Sequence, residues 1–325
     1  MDNKAIYKKT IGFSLRRFLW DAIAILAFCI FAGAGFIIAD GSNNGLVGLA
    51  IGAILGGIAA YLILHFVAYA YKAGQIAMMT EGVVTGKLPE DTIAAGKKIV
   101  KERFATVAAY YFITGIIKGI FRQIGNGITA VGQAVGGNNG GAVGGTISGI
   151  IDIIVAYLCD CCLGWVFYRK DESASKATCE GAVLFFKHGK TLIRNLGRVF
   201  GIGIVSFLVI GGIFMGITYL ILQALPDAMN SLSGAIVDVY TQTDPSSIPD
   251  FATNTTLLAV ICSAISGVIF WSVIHSTFVR PFILVGVLRN YINSGIKDVP
   301  SEASFNELDK KSKKFAKLHS ELASK

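Results

Sequence analysis

The sequence predicts an all-α integral membrane protein of about six transmembrane helices, with amphipathic helices on its cytoplasmic face. Three observations predict it. Of 325 residues, 53% are hydrophobic and 15% charged, where soluble domains carry about 25% charged residues. Mean hydropathy is +0.61. Apolar stretches recur at lengths that cross a hydrocarbon core of roughly 30 Å at about 1.5 Å per helical residue. Lys and Arg, finally, fall almost wholly in the two terminal segments and in alternate connections between those stretches.

In chain order, residues 1–17 are basic and amphipathic, with Lys4, Lys8, Lys9, Arg16 and Arg17 beside Ile6, Ile11 and Phe13. They are expected to lie on the inner membrane surface. A first span is expected at 18–39; it is too long for a signal h-region and no cleavage site follows it. Asp21 falls near its inner end, where it is expected to be hydrated. Residues 40–45 form a turn, and a second span runs over 46–71. Its Gly48, Gly52 and Gly56 recur every fourth residue, a small-residue ladder that lets another helix approach closely. Residues 72–103 are polar and basic, with Pro89 and the acids after it announcing a helix start.

A third span is expected at 104–124, interrupted by Lys118 and Arg122; the alternative is a helix lying in the plane of the interface. The uncharged run Gly125–Gly145 reads as a glycine-rich loop; it lacks the Gly-Lys-Ser/Thr ending of a phosphate loop. The fourth span, 146–168, is the most informative stretch, because Asp152 and Asp160 lie inside it. An unpaired carboxylate at the bilayer centre costs roughly 2.5–3.5 kcal/mol or more, so both acids must face protein or water. As a helix, the stretch sets Gly149, Asp152, Ala156, Cys159 and Asp160 on a small, polar side; Ile151, Ile154, Val155, Leu158, Cys162 and Trp165 fall on a lipid-like side. The Arg- and Lys-rich segment 169–198, with an apolar patch at Gly181–Phe186, reads as interfacial helix. A fifth span is expected at 199–225, then an acidic connection at 226–253, then a sixth span at 255–279 that Arg280-Pro281 ends or kinks. The membrane domain closes at 292, and 301–325 reads as a basic soluble helix with Phe305, Leu308, Phe315, Leu318 and Leu322 on one face.

Charge sets the orientation. Every Lys and Arg except Lys118 and Arg122 falls in 1–17, 72–103, 169–198 or 280–325; the connections 40–45, 125–145 and 226–254 have none. Six spans put the basic segments on one side, which the positive-inside rule makes cytoplasmic, with both termini inside and the chain multi-pass in the plasma membrane. The net charge of +8 therefore describes topology and contact with anionic lipid at the cytoplasmic face, and no nucleic-acid partner is expected.

The candidate functional residues follow from depth. Lys118 and Arg122 lie in the outer part of span three and Asp152 in the outer part of span four, so either cation can pair with Asp152. Asp160 lies about 12 Å further toward the cytoplasm, level with His65 and His275 at the inner ends of spans two and six. Together these residues describe a polar route through the bundle. The competing reading makes Asp152 and Asp160 structural ion pairs and the two histidines packing residues. Cys159, Cys161 and Cys162 point in different directions on a helix, and no paired metal-binding motif accompanies them, so no metal or cofactor is expected. No Ser/His/Asp elbow, HExxH or nucleotide fingerprint occurs, so no enzyme is expected.

The run CDCCLGWVFYRKDESASKATCEGAVLFFKHGKTLIRNLGRVFGIGIVSFLVIGG, Cys159–Gly212, resembles the C-terminal half of the choline transporter-like family, and VRPFILVGVLRNYINSG, Val279–Gly295, is similar to that family's last span and following helix. The segment from Met78 to Phe104 resembles a group of bacterial membrane proteins. The resemblance implies a transporter of a small solute, an organic cation such as choline, for which Asp152 and Asp160 would supply negative charge and Trp165 or Tyr157 an aromatic face. Two other readings stand beside it. One is a homo-oligomeric channel assembled through the small-residue ladders and the C-terminal helix; the other is a membrane scaffold with static ion pairs.

Overall fold

The computed structural model describes residues 1–41, 44–105, 109–120, 122, 155–243 and 248–323, with backbone alone at 40, 46, 189–200, 242–243 and 323. It is 89% helical, and no strand occurs among the described residues. The helices are α1 (Asn3–Asp40), α2 (Gly45–Ile63), α3 (Tyr69–Thr85), α4 (Thr92–Arg103), α5 (Ala109–Ile120), α6 (Val155–Tyr168), α7 (Ala174–Ser206), α8 (Gly212–Gln223), α9 (Pro226–Thr243), α10 (Asp250–Thr253), α11 (Thr255–Ile274), α12 (Arg280–Lys297), α13 (Glu302–Asp309) and α14 (Lys313–Ala323). Three π-helical turns, Leu64–Ala68, Phe207–Gly211 and His275–Val279, join α2 to α3, α7 to α8 and α11 to α12 without a break. The last of these precedes Pro281, which has no N–H for the α-helical ladder and whose ring crowds the preceding turn; a wider turn accommodates it.

Four stretches of helix are long and apolar enough to cross a membrane: Asn3–Ala39, Val47–Thr85, Gly201–Gln223 and Thr255–Lys297. The chain is therefore a helical protein built for a membrane. The described parts of the expected spans 104–124 and 146–168 are the shorter apolar helices α5 and α6.

The chain divides into two compact units. The first comprises Met1–Arg17, Phe66–Val199 and Arg280–Lys325. Its core is protein-lined: α6 contributes Tyr157, Leu158, Cys162, Trp165 and Phe167, all buried against residues of α3, α7 and α12. Trp165 fits because residue 295 is glycine; a Cβ there would come within 2.3 Å of the indole. Here the expected lipid-like side of 146–168 is corrected for its described residues; Ile151 and Ile154 lie outside them. Val155, Leu158, Cys162 and Trp165 face protein. The surface segment expected at 1–17 is likewise the start of α1, with Ile6 and Phe13 fully buried and Gln75 Nε2 of α3 donating to Ser14 Oγ at 2.9 Å. The patch at 181–186 faces inward too, through Ala182, Val183, Leu184 and Phe185. Asp91 caps α4 by accepting from the Ala94 N–H at 2.9 Å. The C-terminal segment is two helices rather than one; Phe305, Leu308, Phe315 and Leu318 pack with Ile120, Cys179, Ala182 and Val183.

The second unit comprises Phe18–His65 and Phe200–Val279. Its helices expose apolar side chains along their length, including Ile38 at 79%, Ile37 at 74% and Leu208 at 66%. The glycine ladder of α2 lies on α1: a Cβ at Gly52 would meet the Phe31 carbonyl oxygen at 2.2 Å, and one at Gly48 the Gly35 carbonyl oxygen at 2.1 Å. Only glycine permits this approach. The stretch 226–253, expected as a connection, contains helix α9, whose Met229 packs with Leu258 and Ala259 of α11.

Candidate functional site

Asp160 is a buried acid of the first unit held by two cations. It sits in α6 with its side chain only 4% exposed. Lys72 of α3 donates to its Oδ1 at 2.7 Å, and Arg280 of α12 donates to its Oδ2 through Nη2. The same Nη2 reaches the Ala156 carbonyl oxygen at 2.8 Å. The guanidinium lies 5.2 Å from the Tyr157 ring centroid, within cation–π range. Two donors at the site have no partner: Arg280 Nε and the Tyr157 hydroxyl, both buried. Lys72 and Arg280 are less enclosed than the acid, at 33% and 22% side-chain exposure. Burying a charge is tolerable only when it is paired and hydrogen-bonded; one carboxylate here serves two cations.

The helices that deliver the cations share a feature. Lys72 lies one turn beyond the π-turn Leu64–Ala68, and Arg280 directly follows the π-turn His275–Val279. Inserting or removing one residue in such a turn rotates everything downstream by about 100°. Both cations are thus carried on helices that enter the first unit just beyond a π-turn. Lys72 and Arg280 were not foreseen as partners, although each is the first cation past the inner end of an expected span. That position was the available signal.

No family model, curated protein or solved structure matches the chain. The reading of the site accordingly rests on its geometry.

The other expected site residues are distributed as follows. Asp152 lies outside the described residues. Lys118 and Arg122 are exposed; the partner expected for them is Asp152. His65 and His275 belong to the second unit, each within a π-turn. His65 stacks on Tyr61, with ring centroids 5.0 Å apart and planes 22° apart. His275 Nδ1 lies 2.9 Å from Ser206 Oγ, which also accepts from Trp271 Nε1 at 3.1 Å. In the same unit Asp21, expected to be hydrated, is buried and accepts from Thr277 Oγ1 at 3.1 Å. The π-turn His275–Val279 therefore holds α7 through His275 and α1 through Thr277.

A further buried acid escaped the sequence reading. Glu180 of α7 accepts from Trp165 Nε1 at 3.0 Å and from Arg169 Nε at 2.9 Å. Cys161 and Cys162 are buried and Cys159 half-buried. Among the described residues no group of three or more His, Cys, Asp or Glu side chains is placed to hold a metal ion.

Proposed function

We propose that the chain is a polytopic membrane transport protein for a small solute, with Lys72, Asp160 and Arg280 as the charged latch of one conformational state. A single observation carries this: one buried carboxylate is shared by cations from two long helices, each lying just beyond a π-turn. A register step at either turn would withdraw a cation, and the cost of leaving Asp160 half-paired gives the alternative state a defined energy.

The membrane topology belongs to the same proposal. Both termini are cytoplasmic, in the plasma membrane, whether α5 and α6 cross or not. They are consecutive apolar helices, so as a pair they return the chain to the side it left. Four spans and six spans have the same parity and place the basic segments on the same face.

Choline as the solute rests on the family resemblance alone. It would have to displace Lys72 or Arg280 from Asp160 against a net positive cluster. The tyrosines at 69, 110 and 111 offer no open cage either: their ring centroids lie 5.1–5.8 Å apart, in mutual contact. A second reading, the non-transporting scaffold, draws on the density of that core and on the pairing of Asp160 and Glu180.

Proteoliposomes separate the two. Uptake of radiolabelled choline, amino acids and inorganic phosphate is measured beside release of carboxyfluorescein, for wild type and Asp160→Asn. Saturable uptake of one solute, altered in the variant, supports transport. Release of dye points to a wide pore. If no solute and no dye moves through folded protein, the transport reading falls and the scaffold replaces it.

A further inference from the structure

We infer that Lys72 and Arg280 form a clamp for a phosphate-type anion, and that Asp160 is its positioning residue rather than a ligand for a cation. The inference does not depend on transport.

The charge balance comes first. The directly bonded groups are one carboxylate and two cations, so the cluster carries an excess positive charge. Arg17 acts on Lys72 with the same sign, although it has a partner of its own. In a weakly screened interior an uncompensated cation is costly, and an added anion removes that cost.

Access comes second. Asp160 is shut in, at 4% exposure, while Lys72 and Arg280 keep 33% and 22% of their side chains open. A ligand reaching the cluster therefore meets the cations, with the acid behind them. Hanging both from the two oxygens of one carboxylate holds a guanidinium fork and an ammonium side by side. That is the pairing that suits a tetrahedral oxyanion: a planar donor set and a point charge.

Unused donors come third. Lys72 has three N–H groups and shows one hydrogen bond, to Asp160. Arg280 Nε and the Tyr157 hydroxyl are buried with no acceptor, and Tyr157 is only 2% exposed. Buried donors without acceptors are rare and mark either an unseen ligand or water.

The position in the chain points to where such an anion comes from. Arg17 directly precedes the apolar stretch 18–39, Lys72 directly follows 46–71, and Arg280 directly follows 255–279. All three cations thus fall where apolar sequence ends, the level of lipid phosphates in a membrane. A phospholipid headgroup and free phosphate present the same chemistry there.

The test uses the full chain in dodecyl maltoside, which contains no phosphorus. Thermal unfolding is followed while inorganic phosphate, phosphatidylglycerol or choline chloride is added at constant ionic strength. A saturable rise in midpoint with phosphate or phosphatidylglycerol, and none with choline, is expected. Stabilisation by the lipid alone assigns a headgroup; stabilisation by inorganic phosphate assigns a free anion. Lys72→Gln should weaken that affinity about tenfold. Asp160→Asn should weaken it less than Lys72→Gln does, since both cations remain but lose the carboxylate that aligns them, whereas a cation site would lose its ligand outright. Should Lys72→Gln fail to fold, native mass spectrometry of wild type decides: bound phosphatidylglycerol must be displaced by inorganic phosphate and not by choline. The inference is overturned if neither phosphate source stabilises beyond the chloride control, or if choline stabilises in their place. Phosphate binding without flux would leave it standing while removing the transport reading; choline flux without phosphate binding would do the reverse.

Discussion

Asp160→Asn is the sharpest probe of the first unit. The substitution keeps shape and hydrogen-bonding capacity but removes the one negative charge between Lys72 and Arg280. Breaking a buried ion pair from one side costs about 3–5 kcal/mol, because the surviving charge is stranded. Here two cations are stranded together, but each keeps a fifth to a third of its side chain open, which places the loss near the lower end, about 3 kcal/mol, or roughly 150-fold in the folding equilibrium. Adding Lys72→Gln to Asp160→Asn removes one of the stranded charges. The double variant should then be more stable than the sum of the two single losses predicts, with a coupling of about 1 kcal/mol or more. Trp165 provides the signal: it is buried on the same helix as Asp160, and it becomes the sole tryptophan once Trp20 and Trp271 are replaced by Phe. Unfolding in dodecyl maltoside by added dodecyl sulfate, followed at Trp165, reads the first unit directly. If Asp160→Asn costs less than about 0.5 kcal/mol, or the two single losses simply add, the cluster is solvated and uncoupled and the reasoning fails.

Three more outcomes can be checked. Gly52→Val should separate α1 from α2, because its Cβ would stand 2.2 Å from the Phe31 carbonyl oxygen; Gly57→Val, with nothing within 4 Å, should be nearly neutral. The difference should be about 1–3 kcal/mol, seen as a lower thermal midpoint for Gly52→Val only. Glu180→Gln should destabilise by about 2 kcal/mol or more, since it removes the charge that Arg169 and Trp165 Nε1 both serve; a shift in Trp165 emission before unfolding would report the altered hydrogen bond. The α13–α14 pair should loosen with rising pH. Burial pulls the pKa of His319 down, but hydrogen bonds and charge from Asp309 at 2.8 Å and Glu302 at 3.0 Å outweigh it and hold it above the ordinary imidazole value. Stabilisation is then complete below the unfolded pKa of about 6.5 and is lost as pH rises through the folded value. Hydrogen exchange over residues 302–323 should accelerate on that side, and His319→Gln should abolish the pH dependence.

What the sequence disclosed depended on what each signal measures. The ladder at Gly48, Gly52 and Gly56 was legible because small residues at every fourth position have one use in an apolar helix, and α1 fills it. The need of Asp160 for partners was legible from the cost of its charge. The identity of those partners was not. Lys72 and Arg280 lie just past the ends of apolar stretches, where cations normally read as interfacial anchors, and the pairing was sought at matched depths in straight spans. Helices α3 and α12 instead run on through π-turns into the core of the first unit. Residues 146–168 show the limit of hydropathy more plainly. Trp165, Leu158 and Cys162 leave water equally well into lipid or into protein, and a transfer scale has no term that tells the two apart. Helix α9 was missed for the opposite reason: Asp227 and Asp238 outweighed the apolar spacing of Met229, Leu232 and Ile236, which pack against its neighbours.

That limit is also why the second unit, not the first, carries the membrane assignment. On α1 the change happens along one helix: Ile6 and Phe13 are fully buried, whereas Ile30, Ile37 and Ile38 are 59%, 74% and 79% exposed. The same holds for Leu208 and Ile213 beyond Arg198 and for Ile265 and Ile269 before Arg280. An apolar surface this extensive is rare on soluble proteins, where contiguous patches rarely exceed a few hundred Å². The apolar stretches end where the basic segments begin, and the helices that carry them are long enough to cross a bilayer. Cations placed at that boundary are normally spent on lipid headgroups by snorkelling outward. Lys72 and Arg280 turn toward a carboxylate inside the protein instead. A chain that needed only anchoring would gain nothing from directing both onto one buried acid. That departure is the physical reason to look for a ligand or a second state at Asp160 before looking anywhere else in the chain.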